Sequence, residues 1–395
     1  MLRYSEDEAM RSSITGLLLI LCALCGCAAQ AQAGGKVRTY YIAADEVAWN
    51  YAPTGIDQVT GKPFEGIAKW YTVHTPHRIG TVYLKAVYRE YTDATFRTLK
   101  PRPESERYLG LLGPVIHAEV GDVIKVVFKN NASRPYSIHP HGVLYLKDSE
   151  GMAYHDGSPA AGKIGGAVPP GHTYTYTWQV PERAGPGPVD PSSIVWLYHS
   201  HTDDQKDVDS GLIGAIVVTA RGMAKPDGTP QDVDREFVTV YHMFNENQSW
   251  YLNRNIARYA SAVKGTERAE VNQTDATGAA TYTYGQGFAD ANLKFSINGY
   301  MFANGPKMVM KQGDRVRWYT VTIGDGINFH TPHWHGNTVL VNKQRTDVIA
   351  LSPAQMVTAD MVPDDSGIWL FHCHVADHMD AGMSALYQVL PSSSN

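Results

Sequence analysis

The segment His372-Cys373-His374-Val375-Ala376-Asp377-His378-Met379-Asp380-Ala381-Gly382-Met383 brings three kinds of metal donor into twelve residues. Cys373, His378 five residues on and Met383 five further supply a thiolate, an imidazole and a weak thioether. With a second imidazole this is the ligand set of a blue-copper electron-transfer centre. His330, three before His333 in His330-Thr331-Pro332-His333-Trp334-His335, is the natural second imidazole. On a strand, residues i and i+2 share a face, so His372 and His374 point one way and Cys373 the other. On the order of 10 Å of covalent chain then separates the thiolate from whatever the two imidazoles hold.

The same spacing occurs four times: His139/His141, His199/His201, His333/His335 and His372/His374. With 16 His in 395 residues, chance predicts fewer than one such pair. Eight imidazoles exceed what one mononuclear site can use and suit three metals. Nitrogen-rich sites bind copper most tightly among the divalent ions, so copper is the expected metal.

The chain repeats itself at a spacing of about 190 residues. Each half has a Gly-Asp turn (Gly121-Asp122, Gly313-Asp314) and then His-x-His-Gly (from His139, from His333). A Trp-led strand ending in His-x-His closes each repeat. Short β-patterned runs such as Val123–Phe128 alternate with Gly, Pro and Asn turns. Arg221 to Asp234 is polar, with two Pro and two Gly, and reads as a linker. The expectation is an all-β chain of two tandem β-sandwich domains, 36–220 and 236–391, joined by 221–235. An Ala/Thr/Gly-rich insertion near Ala260–Ala289 interrupts the second.

Composition agrees. Hydrophobic residues make up 43% and charged residues 18%, enough for a large core. Net charge is −5 with no basic cluster, which excludes nucleic acid as a partner. Ile14 to Ala28 form an apolar run behind Arg11 and ahead of Ala29-Gln30-Ala31-Gln32-Ala33. This reads as a signal peptide over 1–33, too short for a membrane span, cut near Ala31 or Ala33. Glu6, Asp7 and Glu8 are an odd start for a signal, which makes Met10 an alternative initiator. Leu24-Cys25-Gly26-Cys27 is a poor lipoprotein site, so a soluble periplasmic or secreted protein is expected. Cys22, Cys25 and Cys27 fall in the leader. Cys373 is then the lone thiol, with no disulfide partner.

The four His segments resemble the four copper motifs of multicopper oxidases. The wider chain is similar to the ceruloplasmin and hephaestin branch. Thr39-Tyr40-Tyr41-Ile42-Ala43, Tyr91-Thr92-Asp93-Ala94-Thr95-Phe96-Arg97, Ser133-Arg134-Pro135-Tyr136 and Ser249-Trp250-Tyr251-Leu252 carry that likeness. So do Ser210-Gly211-Leu212-Ile213-Gly214 and Ile297-Asn298-Gly299. The resemblance implies two cupredoxin-type Greek-key domains and four coppers per chain. It gives His139 and His333 to a type 2 copper. His141, His199, His201, His335, His372 and His374 go to a type 3 pair, and His330, Cys373, His378 and Met383 to a type 1 copper. Ser200 stands where Cys373 stands, so domain 1 should lack a type 1 centre. Asp203 matches an acid that could relay protons, while Asp204, Asp207 and Asp209 read as a solvated loop. His74, His77, His117, His155, His172 and His242 form no pair and read as structural. The branch's calcium site is not supported, because the loop from Glu150 to Gly166 lacks most of the needed ligands.

The expected function is an oxidase passing electrons from a small reducing substrate through Cys373 to a trinuclear cluster, where O2 becomes water. A copper nitrite reductase needs only one catalytic copper beside its type 1 copper, and a non-catalytic cupredoxin protein could dispense with a complete ligand set. Four, two, or at most one copper per chain separates these three. Ferrous iron would use Asp377 and Asp290, but Phe295 stands where the resemblance leads one to expect a His. Phenols need an exposed edge of His378. Cuprous ion lacks the long Met-rich insertion of its oxidases. Ceruloplasmin-like rings hold six domains, so three copies of this chain would rebuild one as a homotrimer.

Overall fold

The computed structural model describes residues 35–263, 273–274, 280–281, 287–324 and 328–392. The leader expected over 1–33 and much of the insertion near 260–289 lie outside them. In the first half the strands are β1 (Val37–Asn50), β2 (Val82–Tyr91), β3 (Ile116–Glu119), β4 (Val123–Asn130), β5 (His139–Pro140), β6 (Leu144–Tyr145), β7 (Thr173–Gln179), β8 (Ser193–His199) and β9 (Ile213–Thr219). In the second they are β10 (Arg235–Asn245), β11 (Gln273–Thr274), β12 (Ala280–Thr281), β13 (Leu293–Ile297), β14 (Met308–Lys311), β15 (Val316–Val321), β16 (Pro332–Trp334), β17 (Val339–Val341), β18 (Gln344–Thr346), β19 (Met356–Met361), β20 (Gly367–Cys373) and β21 (Ser384–Leu390).

Two sheets face each other in each half. In the first half they are β2-β1-β4-β7-β6 and β3-β9-β8-β5; in the second, β13-β10-β15-β19-β17-β18 and β14-β21-β20-β16. The orders match strand for strand except that the second half adds β18 at one edge. The parallel pairs recur as well: β1 with β4 and β3 with β9, then β10 with β15 and β14 with β21. These crossings between sheets make each half a Greek-key sandwich. The Gly-Asp turns enter β4 and β15. Gly121 and Gly313 have φ of 103° and 86°, where a Cβ is strained. Asp122 and Asp314 close the turns by accepting the N–H of Glu119 and Lys311, at 2.9 and 2.7 Å.

Alternation along β4 buries Ile124, Val126 and Phe128 against Tyr176 and Trp178. By contrast, β9 is buried at every position. Its second face, with Val195 and Leu197 of β8, joins the second half's core at Phe237, Val238 and Tyr319. A strand covered on both faces reads as a continuous apolar run, which Ile213–Thr219 is. Polar groups fix the same seam. Arg317, 3% exposed, donates to Ser192, Ser193 and Asp360, and Lys85 forms a fully buried ion pair with Glu246. The expected linker is packed rather than loose: Arg38 donates to Pro226 O at 3.1 Å, and Thr219 to Gly228 O at 3.0 Å.

Candidate metal centres

Strand register assembles the imidazoles. β5 pairs with β8 so that His139 lies opposite His199, and β16 with β20 so that His333 lies opposite His372. His139 then has His141, His199 and His201 at ring-centroid distances of 5.5, 5.6 and 5.1 Å. His333 has His335, His372 and His374 at 4.8, 5.3 and 5.3 Å. The first His-x-His of each half must be followed by Gly. A Cβ on Gly142 would meet Trp196 at 2.2 Å, and one on Gly336 would meet Trp369 at 2.5 Å. The Trp that leads each closing strand therefore covers the earlier motif.

Backbone carbonyls set the tautomers. Nδ1 of His139 lies 2.6 Å from Glu150 O, and Nδ1 of His333 2.9 Å from Asp347 O. Nδ1 of His199 and His372 lie 3.1 and 2.8 Å from the carbonyls of Ser200 and Cys373. A ring nitrogen facing a carbonyl carries the proton, so Nε2 keeps its lone pair for a cation. Burial lowers the pKa of His139 and His141 to about 4 and keeps them neutral.

Behind the second quartet, His330, Cys373 and His378 hold donor atoms within 4.8 Å of one another, all buried. Sγ is 4.0 Å from His330 Nδ1 and 3.7 Å from His378 Nδ1, and those nitrogens are 3.2 Å apart. Met383, 0% exposed, is tied to the same loop. Its N–H donates to His378 O at 2.9 Å, and its carbonyl accepts from Cys373 N at 3.0 Å. Burial lowers the pKa of His330 to about 3 and of His378 to about 4, and pushes the Cys373 thiol up. Neutral imidazoles converging on a buried thiol fit a soft cation such as copper.

The acids differ from expectation. Asp203 turns to Lys206 at 3.0 Å, whereas Asp204 Oδ1 sits 3.0 Å from His199 Nδ1. Asp207 and Asp209 are not solvated: each is 1% exposed. Residues 204–210 coil into a helix whose inner face carries them. No apolar periodicity in those residues announces this helix. Of the histidines read as structural, His117 lies 3.6 Å from Glu236 and His242 3.4 Å from Asp209. His74 and His172 face the carbonyls of Ile79 and Pro170. In the loop lacking calcium ligands, Lys147 and Lys163 occupy the carboxylates of Glu150 and Asp156. Phe295, 3% exposed, stacks on His378 at 5.0 Å, while Asp377 is exposed.

Two family models, both described as multicopper oxidase, match residues 109–222 and 273–393. The human ferroxidase HEPHL1 is 44% identical over 90% of this chain, and human ceruloplasmin 38% over 89%. The chain spans 29% and 31% of those proteins. Among solved structures, a blue copper oxidase from Nitrosomonas europaea superposes with TM-score 0.53 at 16% identity, covering 90% of this chain and 86% of that one. Another multicopper oxidase gives 0.52 at 18%, covering 89% of each chain. These likenesses show the fold, which matches the sandwiches above. Sequence models, relatives and sandwich topology agree, and the chain belongs to the multicopper oxidase family.

Proposed function

We propose that the chain is an oxidase with four coppers. His330, Cys373, His378 and Met383 hold the type 1 copper, His139 and His333 the type 2, and the remaining six paired His the type 3 pair. Bound there, copper supplies one-electron uptake and, with four electrons and four protons per O2, reduction to two waters. The carrying observation is the strand geometry at Cys373, buried behind two imidazoles of its own strand. Cys373 joins the two sites covalently, His378 presents the edge nearest the substrate, and the carbonyl-fixed tautomers keep Nε2 free. Proton supply falls to Asp204, exposed to solvent and in contact with His199, with Asp203 next to it in the chain.

The reducing substrate is a low-valent metal ion or a phenol. Relatives named ferroxidase favour ferrous iron, while Phe295, buried against His378 where an iron-binding His was expected, favours a phenol. We place the protein outside the cytoplasm, as the leader implies; among the described residues no helix is long and apolar enough to cross a membrane. We further propose a homotrimer in which domain 2 of one chain meets domain 1 of the next. Leu144 and Leu146 just after the first quartet, and Val348 beside His333, are exposed and apolar, as such an interface needs. Metal analysis and oxygen uptake with ferrous iron, cuprous ion and a phenol, side by side, test this reading. Four coppers and uptake with one donor support it; two coppers with nitrite turnover, or one copper at most, refute it.

A further inference from the structure

Resting on the copper reading above, we propose that the first half carries a metal-free clamp, Ser200–Asp207, at the position of Cys373–His378. The chain around His199 and His201 is thereby tied before copper binds, whereas the corresponding loop of the second half closes on copper.

Matched hydrogen bonds establish the equivalence. Leu212 N donates to Asp207 O at 3.2 Å, as Met383 N does to His378 O at 2.9 Å. Ser200 N donates to Leu212 O at 3.2 Å, as Cys373 N does to Met383 O at 3.0 Å. Ser137 N donates to Ser200 Oγ at 3.1 Å, as Thr331 N does to Cys373 Sγ at 3.3 Å. Tyr136, Ser200, Asp207 and Leu212 therefore occupy the places of His330, Cys373, His378 and Met383.

The two sets close differently. Asp207 Oδ2 accepts from Ser200 Oγ at 2.6 Å, Thr202 N at 3.1 Å and Asp203 N at 3.0 Å, and Oδ1 accepts from Trp250 Nε1 at 2.9 Å. One buried carboxylate thus fixes the residue between His199 and His201 and the two residues after His201. His201 N, in turn, donates to Ser137 Oγ at 3.0 Å. Charge-assisted bonds of this kind are short and strong. In the second half the corresponding contacts are sulfur to nitrogen at 3.7 and 4.0 Å and nitrogen to nitrogen at 3.2 Å. A thiol and two neutral imidazoles at these distances share at most weak hydrogen bonds, so this clamp closes firmly only on metal. Asp207 acts through Ser200 on the ligands, as a positioning residue.

The test uses copper-free full-length protein and amide hydrogen exchange beside each quartet. In the wild type the N–H groups of Ser137, Thr202 and Asp203 should be protected, and that of Thr331, which faces Cys373 Sγ, should exchange faster until copper is added. Asp207→Asn should speed exchange at Thr202 and Asp203, leave Thr331 as it was, and weaken copper binding to the first quartet about 10- to 100-fold. Ser200→Ala, which removes only a hydroxyl, should speed exchange at Ser137 and serves if Asp207→Asn does not fold. Equal protection of Ser137 and Thr331 in the copper-free wild type, or unchanged exchange in the variants, overturns the clamp. The readout needs no turnover, so an inactive wild type would refute the oxidase while leaving the clamp standing.

Discussion

His141 and His199 aim their Nε2 atoms at one another across 3.1 Å. His335 and His372 repeat the arrangement at 3.0 Å. The carbonyl on its Nδ1 leaves His199 presenting a lone pair, and a cation between the two nitrogens satisfies both rings. His199→Ala should therefore lower the copper content and stop O2 uptake. The type 1 set is untouched, and its colour should still bleach with reductant. Normal uptake in copper-loaded variant protein would remove His199 from the cluster.

Cys373→Ser tests the other site. Among the described residues Cys373 is the one free thiol, and it lies 3.7 Å from His378 Nδ1. The variant should lose the intense visible absorption of thiolate-bound copper and keep the type 2 signal in electron spin resonance. A variant that stays blue would refute the assignment.

Lys85 and Glu246 are both fully buried where the two halves meet. Tyr51 also donates to Glu246 Oε1, at 2.6 Å. Removing one member leaves the other charge in the core. Glu246→Ala should cost about 3–5 kcal/mol in urea unfolding, whereas Lys85→Met with Glu246→Leu should come close to neutral. Equal losses in both proteins would mean that packing, not charge, decides.

A pH effect arises at His117. Burial alone would lower its pKa, but the Glu236 carboxylate 3.6 Å away, with Glu106 and Asp227, outweighs it and the net shift is upward. A base whose folded pKa exceeds its unfolded value of about 6.5 adds stability below that pH. That stability disappears as pH rises through the folded pKa. Thermal stability should fall from about pH 6.5 upward, and Glu236→Gln should flatten the slope. An unchanged slope would dismiss the pair.

Legibility from sequence followed sequence distance. The four His pairs and Cys373, His378 and Met383 show at spacings of two to five residues, because strand periodicity and loop length act locally. The duplication showed because Gly-Asp turns and Trp-led strands carry steric demands visible in residue type. The carboxylate at the imidazoles did not: choosing Asp204 over Asp203 depends on how the turn after His201 folds. The burial of Asp207 also stayed hidden, since its partner Trp250 lies 43 residues on. The Lys85–Glu246 pair spans 161 residues and has no local signature.

The proposed trimer rests on the separation of the quartets. Among the described residues every ring contact of a paired His stays within its own half. A cluster drawing on both quartets then needs domain 1 of one chain against domain 2 of another. A head-to-tail contact closes into a ring when its rotation divides the circle, and three copies give the six-domain ring of the ceruloplasmin branch. Light scattering should give three chains. Copper removal should weaken the trimer, since metal at the interface binds only the assembled state. The decisive test mixes two inactive proteins. His139→Ala with His141→Ala spoils domain 1, and His333→Ala with His335→Ala spoils domain 2. A mixed ring places the intact domain 2 of the first protein against the intact domain 1 of the second, so subunit exchange should restore part of the O2 uptake. A monomer with no recovery on mixing would put the cluster inside one chain and refute the ring.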